Sequence, residues 1–268
     1  MSRSSSHELT LVDGIGQTVS LSEPARRVVS LVPSTTESLA VLGRGDTVVG
    51  RTRYCVHPMP WVESVPEIGG TKSPDLRAIA ELAPDLILAN QEENLPELWE
   101  PLRQIAPLWV AAPANVDEAL GDLRAMAVFM GAEQAAAVWC EKIERARLSV
   151  HASARSFRFA YLVWRAPWMA VNHQTYISAL LGEAGGENVF ADRSARYPAV
   201  TLDELKEADP DVVLLPSEPF PFELGHTAEF ENLAPRCRFV DGELLCWHGT
   251  RMAAGFPYLG EFLAEGLP

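Results

Sequence analysis

The sequence lacks a long apolar run and a cluster of basic residues, and each absence excludes a class of protein. No stretch approaches the roughly 20 apolar residues of a membrane-spanning helix, so we expect a protein that is not embedded in a membrane. Acidic residues outnumber basic ones by 36 to 22, which gives a formal net charge of −14. Because nucleic-acid affinity comes mainly from neutralising phosphates, no nucleic-acid partner is expected.

Cysteine is scarce, and no apolar leader is visible at the start of the sequence. The four cysteines have no CxxC spacing, and they are Cys55, Cys140, Cys237 and Cys246. We expect four free thiols, which fits a reducing compartment. Residues 1–7 are polar, whereas a secretory signal needs an apolar stretch of about 7–15 residues. As it stands the sequence predicts a cytoplasmic protein, and a trimmed N-terminus would instead allow a periplasmic or extracellular one.

Short catalytic motifs are also missing. The sequence contains no P-loop, no HExxH, no nucleophile elbow and no GxGxxG after a predicted strand. We therefore predict a binding protein with no catalytic residue and no required cofactor. A divergent enzyme remains the alternative from another functional class.

What the sequence does contain is one long helical pattern at residues 132–155, without Gly or Pro. Apolar residues recur there at helical spacing, and they are Ala135, Val138, Trp139, Ile143, Ala146 and Val150. At 1.5 Å per residue this helix would reach roughly 36 Å, about the width of a small domain. The pattern predicts a rigid helix that joins two domains.

Short strands alternate with helices on both sides of this helix, which predicts an α/β fold. We assign residues 1–131 to an N-terminal lobe with a leading β-hairpin, 132–155 to the linking helix and 156–268 to a C-terminal lobe. The pairs Pro84-Asp85 and Pro210-Asp211 each precede an apolar strand, a weak echo between the lobes. One continuous domain with a long surface helix is the alternative.

Local signals mark the ends of several elements. Ser34 and Glu37 form a capping-box pattern at the start of the first helix. Gly185 and Gly186 are predicted to end the helix at residues 175–183. The runs at residues 9–12 and 18–21 flank Gly14 and Gly16 and predict a hairpin.

Aromatic and metal-capable residues cluster in the loops after predicted strands, where open α/β sheets bind ligands. Candidate ligand contacts are Tyr54, His57, Glu92, Trp164, Trp168, Trp247 and Arg251. Weak metal candidates are Cys55, His57, His173 and His248. Structural roles stay open beside these: Trp164 and Trp168 fit packing beneath the site, His57 fits loop packing, and two ligands alone do not make a metal site.

Several of these stretches together resemble the periplasmic binding proteins for metal chelates. The similar segments are RRVVSLVPSTTESLAVLGRGDTVVG at residues 26–50, Tyr54-x-x-His57-Pro58, Gly69-Gly70 and GGENVF at residues 185–190. The resemblance spans nearly the whole chain and is closest to the cobalamin-binding branch. It implies two Rossmann-like lobes with parallel sheets joined by one long α-helix, the class III substrate-binding-protein fold.

The resemblance also implies a ligand and a partner. The ligand would be a small-molecule metal chelate in a cleft between the lobes, a corrinoid (cobalamin) first and then haem or a ferric siderophore. An ABC permease would be the protein partner. Tyr54 and Trp247 would stack on the ligand from opposite lobes, and Arg251 and His57 would meet carboxylate or amide groups. Thr71 or Lys72 stands where cobalamin-binding relatives carry a tryptophan. A cytoplasmic chelate-handling or sensing protein without a transporter is the alternative.

Overall fold

The computed structural model describes residues 8–266, so the polar segment 1–7 lies outside the described residues. Its longest element is α5, Glu133–Ser153, an unbroken helix of 21 residues as the sequence predicts. Along the helix Glu141 forms an ion pair with Arg145, four residues later, at 2.7 Å. The predicted apolar stripe is wrong in one member, because Val138 is 64% exposed. The buried face of α5 contains Ala136, Cys140, Ile143 and Val150. The small side chains of Ala136 and Cys140 allow close packing on this face.

The contacts divide the chain into two compact units, and the division falls inside α5. The first unit contains the chain up to Pro113, Leu120–Cys140 and His248–Arg251. The second unit contains Ala114–Ala119, Glu141–Trp247 and the chain from Met252 onward. The domain boundaries at residues 131 and 155 remain a prediction.

The first unit is built on a four-stranded parallel sheet and a hairpin. The hairpin strands are β1, Leu9–Val12, and β2, Thr18–Leu21, paired antiparallel. The sheet strands are β3, Val28–Ser30, β4, Val48–Arg51, β5, Leu86–Asn90, and β6, Leu108–Ala111. Their order is β4-β3-β5-β6, and all three pairings are parallel. The central strand β5 is buried along its whole length, which explains its continuous apolar run.

Four helices and a short turn complete this unit. They are α1, Pro33–Val41, α2, Leu76–Glu81, α3, Trp99–Arg103, α4, Val116–Met130, and a 3-10 turn at Gly249–Arg251. Part of α4 and of α5 belongs to the second unit. The capping box predicted at Ser34 is wrong: α1 begins at Pro33, and no side chain caps it. Proline at the first position already lacks the N–H that a cap would satisfy, and Ser34 is buried inside the helix.

The second unit contains a mixed six-stranded sheet. Its strands are β7, Phe157–Trp164, β8, Trp168–Ala170, β9, Gly186–Asn188, β10, Ala199–Val200, β11, Val212–Pro216, and β12, Cys237–Val240. The order β10-β8-β7-β11-β12 has β9 paired with β7. Strands β7, β11 and β12 are parallel, whereas β8 runs antiparallel to β7. Gly186, which was predicted only to end a helix, also opens β9, since it pairs with Phe157.

The helices of the second unit are α6, Tyr176–Glu183, α7, Leu202–Ala208, α8, Gly242–Cys246, and α9, Met252–Ala264. Helix α6 is held against α5 by Arg147, which donates to both carboxylate oxygens of Glu183, at 2.7 and 3.0 Å. The same guanidinium donates to Asp117 at 2.6 Å. These bonds raise the pKa of Arg147, so it remains charged at any working pH.

These observations confirm the predicted fold class of α/β units with one long helix shared between them. The sheet of the first unit is parallel, as predicted, whereas the antiparallel strand β8 makes the sheet of the second unit mixed. Within residues 8–266, no helix combines the length and apolar character that crossing a bilayer requires.

Candidate functional site

Tyr54 lies in the loop that follows β4 and is 56% exposed. Its ring lies near the Gly69-Gly70 turn, since a Cβ added to Gly70 would lie 3.6 Å from ring atom Cε2. The backbone holds the two loops together, since the Arg53 N–H donates to the Gly69 carbonyl at 2.9 Å. The fold therefore presents an exposed aromatic face at the carboxyl end of the first sheet, beside Thr71.

Two asparagines that the sequence analysis did not single out organise the loop after β5. Asn94 donates from Nδ2 to the Thr71 carbonyl at 2.9 Å, and its Oδ1 accepts from the Asn90 N–H at 2.9 Å. Asn90 Oδ1 accepts from the Glu92 N–H at 2.6 Å. Lys72 donates to the Glu92 carbonyl. These hydrogen bonds bring the segments of Thr71 and Glu92 together. The feature of the sequence that could have predicted this network is an asparagine at each end of the loop after a buried strand.

His248 belongs to the same network, because its Nε2 lies 2.9 Å from Asn90 Nδ2. Since Asn90 Oδ1 already accepts from Glu92, its Nδ2 is the donor and the histidine Nε2 is the acceptor. Burial lowers the pKa of His248 from 6.5 to about 4, so the ring is neutral at pH 7. The Nε2 lone pair, which a metal would need, is engaged in this hydrogen bond.

Arg251 ends the 3-10 turn at Gly249–Arg251 and pairs with Glu37 of α1. Its Nε donates to Glu37 Oε2 at 2.8 Å, and both side chains are 15% exposed. The turn is anchored on the same helix, because the Thr250 N–H donates to Ser38 Oγ at 3.0 Å. Gly249 has a φ of +86°, and a Cβ there would lie 2.4 Å from Ser38 Oγ. Only glycine fits this close approach.

Cys55 and His57 do not form a metal site with other described residues. Cys55 is fully buried, with its Sγ 3.1 Å from Thr36 Oγ1 and 3.2 Å from Thr52 Oγ1. Burial raises the pKa of this thiol, which disfavours the thiolate that a metal requires. Among residues 8–266, no group of three or more His, Cys, Asp or Glu side chains is placed to hold a metal ion. His57 is partly buried in its loop.

Trp164 and Trp168 lie at the turn from β7 to β8 and differ in burial. Trp164 is 43% exposed and packs edge-on against Phe220, with ring centroids 5.6 Å apart. Trp168 stacks on Phe222 at 6.1 Å and contacts Phe230 at 4.8 Å. Trp168 therefore serves the core of the second unit, whereas Trp164 offers an exposed face.

Trp247 is not the partly solvated residue that the sequence suggested. It is 7% exposed, and its indole Nε1 donates to Glu218 Oε1. Helix α8, which was not predicted, ends at Cys246, directly before this tryptophan. His173 is exposed, and its Nδ1 contacts the Ala191 carbonyl. The role of each candidate as a ligand contact remains a prediction.

Comparison with known proteins places these observations in context. The profile of a family described as "Periplasmic binding protein" matches residues 28–233, well over half of the chain. A vitamin B12-binding protein of Vibrio cholerae is 26% identical over 195 residues, covering 71% of this chain and 70% of the relative. A vitamin B12-binding protein of Yersinia pseudotuberculosis is 28% identical over 201 residues, covering 72% and 70%.

Solved structures of similar fold include proteins with different ligands. The periplasmic vitamin B12-binding protein BtuF of Vibrio cholerae has a TM-score of 0.77 at 22% identity, covering 90% of this chain and 98% of that one. The periplasmic haem-binding protein RhuT of Roseiflexus sp. RS-1 has a TM-score of 0.76, also at 22% identity, covering 88% and 97%. At this identity the likeness establishes the fold alone.

Proposed function

This chain belongs to the periplasmic binding protein family, and from that premise we propose that it binds a corrinoid as the substrate-binding component of an ABC importer. It is a binding protein rather than an enzyme, because the family and the named relatives are binding proteins. After a corrinoid, haem or a ferric siderophore is the next candidate ligand for this binding protein. An ABC permease is the proposed protein partner.

The observation that carries the ligand assignment is the similarity to vitamin B12-binding proteins over about 70% of both chains. The exposed aromatic faces of Tyr54 and Trp164 support it, since one lies at a strand-end loop of each unit. Flat aromatic surface suits a large planar chelate, because it contributes affinity through buried area without a charge.

Calorimetric titration with cyanocobalamin, haemin, a ferric siderophore and free divalent metals tests the assignment. We expect the tightest binding for cyanocobalamin and none for the free metals. Tyr54→Ala should weaken that binding roughly ten- to a hundredfold, since a buried aromatic contact contributes on the order of 1–3 kcal/mol. Its thermal stability should change little, because the side chain is largely exposed in the free protein.

The matched control is Phe239→Ala, which truncates another exposed aromatic, on the strand β12. This variant should bind like the unaltered protein. Equal losses in the two variants, or normal cyanocobalamin binding by Tyr54→Ala, would remove Tyr54 from the proposed site. No binding of any chelate would refute the proposed function itself.

A chelate-handling or sensing protein without a transporter is the second candidate. One observation favours it: none of the four cysteines, all of which lie within residues 8–266, forms a disulfide, and three of them are buried. Thiols outside disulfides suit a reducing compartment. Thiol titration of the protein from its own cells should then find four free thiols, together with no co-purification of a permease. A disulfide or a stable permease complex would favour the importer component.

A further inference from the structure

The guanidinium of Arg251 is already paired inside the first unit. Glu37 accepts from its Nε at 2.8 Å, and the low exposure of both side chains reduces screening by water. The two residues are 214 positions apart in sequence. An arginine placed to meet a ligand group thus carries its own counter-charge.

This pairing is held by the backbone around it. The Thr250 N–H and hydroxyl both lie within hydrogen-bonding distance of Ser38 Oγ, at 3.0 and 3.3 Å. Ser38 in turn donates to the Ser34 carbonyl within α1, at 2.8 Å. Because Glu37 and Ser38 are neighbours on α1, the helix that seats the turn also supplies the carboxylate. These contacts fix the backbone next to Arg251 on the helix that carries Glu37.

We propose that Glu37 is a specificity-determining residue that makes the site favour a chelate with neutral amide substituents over one with carboxylates. The inference rests on the proposed function and on the prediction that Arg251 is a ligand contact. A ligand carboxylate only accepts hydrogen bonds, so at this arginine it gains a guanidinium whose charge Glu37 already offsets, and it approaches a like charge. An amide group accepts from Arg251 through its oxygen and donates to Glu37 through its nitrogen.

Chelate classes differ in this chemistry. The side chains around a corrinoid ring end mainly in amides, whereas haem carries two propionate carboxylates. A repulsive element against the wrong ligand is as effective for specificity as an attraction to the right one. The Glu37–Arg251 pair provides both elements at one position.

Three ligands test the inference on the full-length protein: cyanocobalamin, haemin and haemin dimethyl ester, which lacks the free carboxylates. In the unaltered protein, haemin should bind no more than about threefold tighter than its ester. Glu37→Gln should tighten haemin binding roughly ten- to a hundredfold, since the propionate then meets the guanidinium without a like charge beside it. The affinities for the ester and for cyanocobalamin should change less than about threefold. The double variant Glu37→Gln/Arg251→Gln should lose the gain.

Two results would overturn the inference while leaving the proposed function intact. One is an unaltered protein that binds haemin more than about tenfold tighter than the ester. The other is a Glu37→Gln variant whose affinities for all three ligands shift equally. If Glu37→Gln fails to fold, the acid-to-ester ratio of the unaltered protein decides alone. Absence of binding to every chelate would instead refute the proposed function, and the inference with it.

Discussion

Asp122 provides a sharp test of how the first unit is stabilised. This carboxyl group lies on α4 and accepts a hydrogen bond from the indole Nε1 of Trp109 at 2.7 Å. Burial raises its pKa from 3.8 to about 6, the Trp109 bond lowers it, and the nearby charge of Asp13 raises it further. The folded protein therefore retains a proton on Asp122 at pH values where the unfolded chain has lost it.

The sign of the pH dependence follows from this proton. Between pH 3.8 and about 6 the folded state binds more protons at Asp122 than the unfolded state does, so the free energy of unfolding falls as the pH rises through this window. Above it the contribution is constant. A shift of about two pKa units corresponds to about 3 kcal/mol between the two ends.

Asp122→Asn removes the buried charge and keeps an oxygen that accepts from Trp109. At pH 7 we expect this variant to be more stable than the unaltered protein by about 1–3 kcal/mol, with the difference shrinking toward zero near pH 4. Urea unfolding followed by circular dichroism at pH 4, 5, 6 and 7 measures that difference. Trp109→Phe removes the hydrogen bond that lowers the pKa of Asp122, so the pH range in which the free energy of unfolding falls should extend to higher pH. A difference between Asp122→Asn and the unaltered protein that does not depend on pH would refute the reasoning.

Three further changes test the fold. Ala146→Pro should destabilise α5 by about 3 kcal/mol or more in thermal melts, whereas Glu133→Pro, at the first helical position, should be tolerated; equal losses would mean that α5 is not one continuous helix. Trp247→Ala should lower the free energy of urea unfolding by about 3–5 kcal/mol, because the side chain is buried; an unchanged value would show it to be solvated. Gly249→Ala should lower the melting temperature more than Gly16→Ala, because both have positive φ but only Gly249 has a side chain within 4 Å of its added Cβ.

Much of the local structure could be read from the sequence, because helices and hairpins depend on signals within a few residues. The hairpin at Leu9–Val12 and Thr18–Leu21 has the predicted bounds, and α4 ends directly before Gly131. Proline and glycine mark these ends through their own backbone preferences. The fold class followed from the alternation of strands and helices, and the family resemblance pointed the same way.

Local signals failed where two of them competed or where an element was short. Ser34 carries a capping signal, but Pro33 starts the helix one residue earlier. Val138 fits a helical stripe of large apolar residues, yet the buried face of α5 is the one that contains Ala136 and Cys140. Helix α8 has only five residues, too few for a periodic pattern to emerge. Its omission led to Trp247 being interpreted as a solvated loop residue.

By itself the sequence determined the order of strands and helices, the long central helix, and the set of aromatic and polar residues from which a chelate site could be built. Only the tertiary structure decided which of those residues are exposed and which are engaged with other side chains. Asn90 meets His248 across 158 positions, and Glu37 meets Arg251 across 214. A single sequence carries no local signal for such pairs, because they depend on parallel strands and helix packing that bring distant segments together. The same packing leaves Tyr54 exposed and buries Trp247.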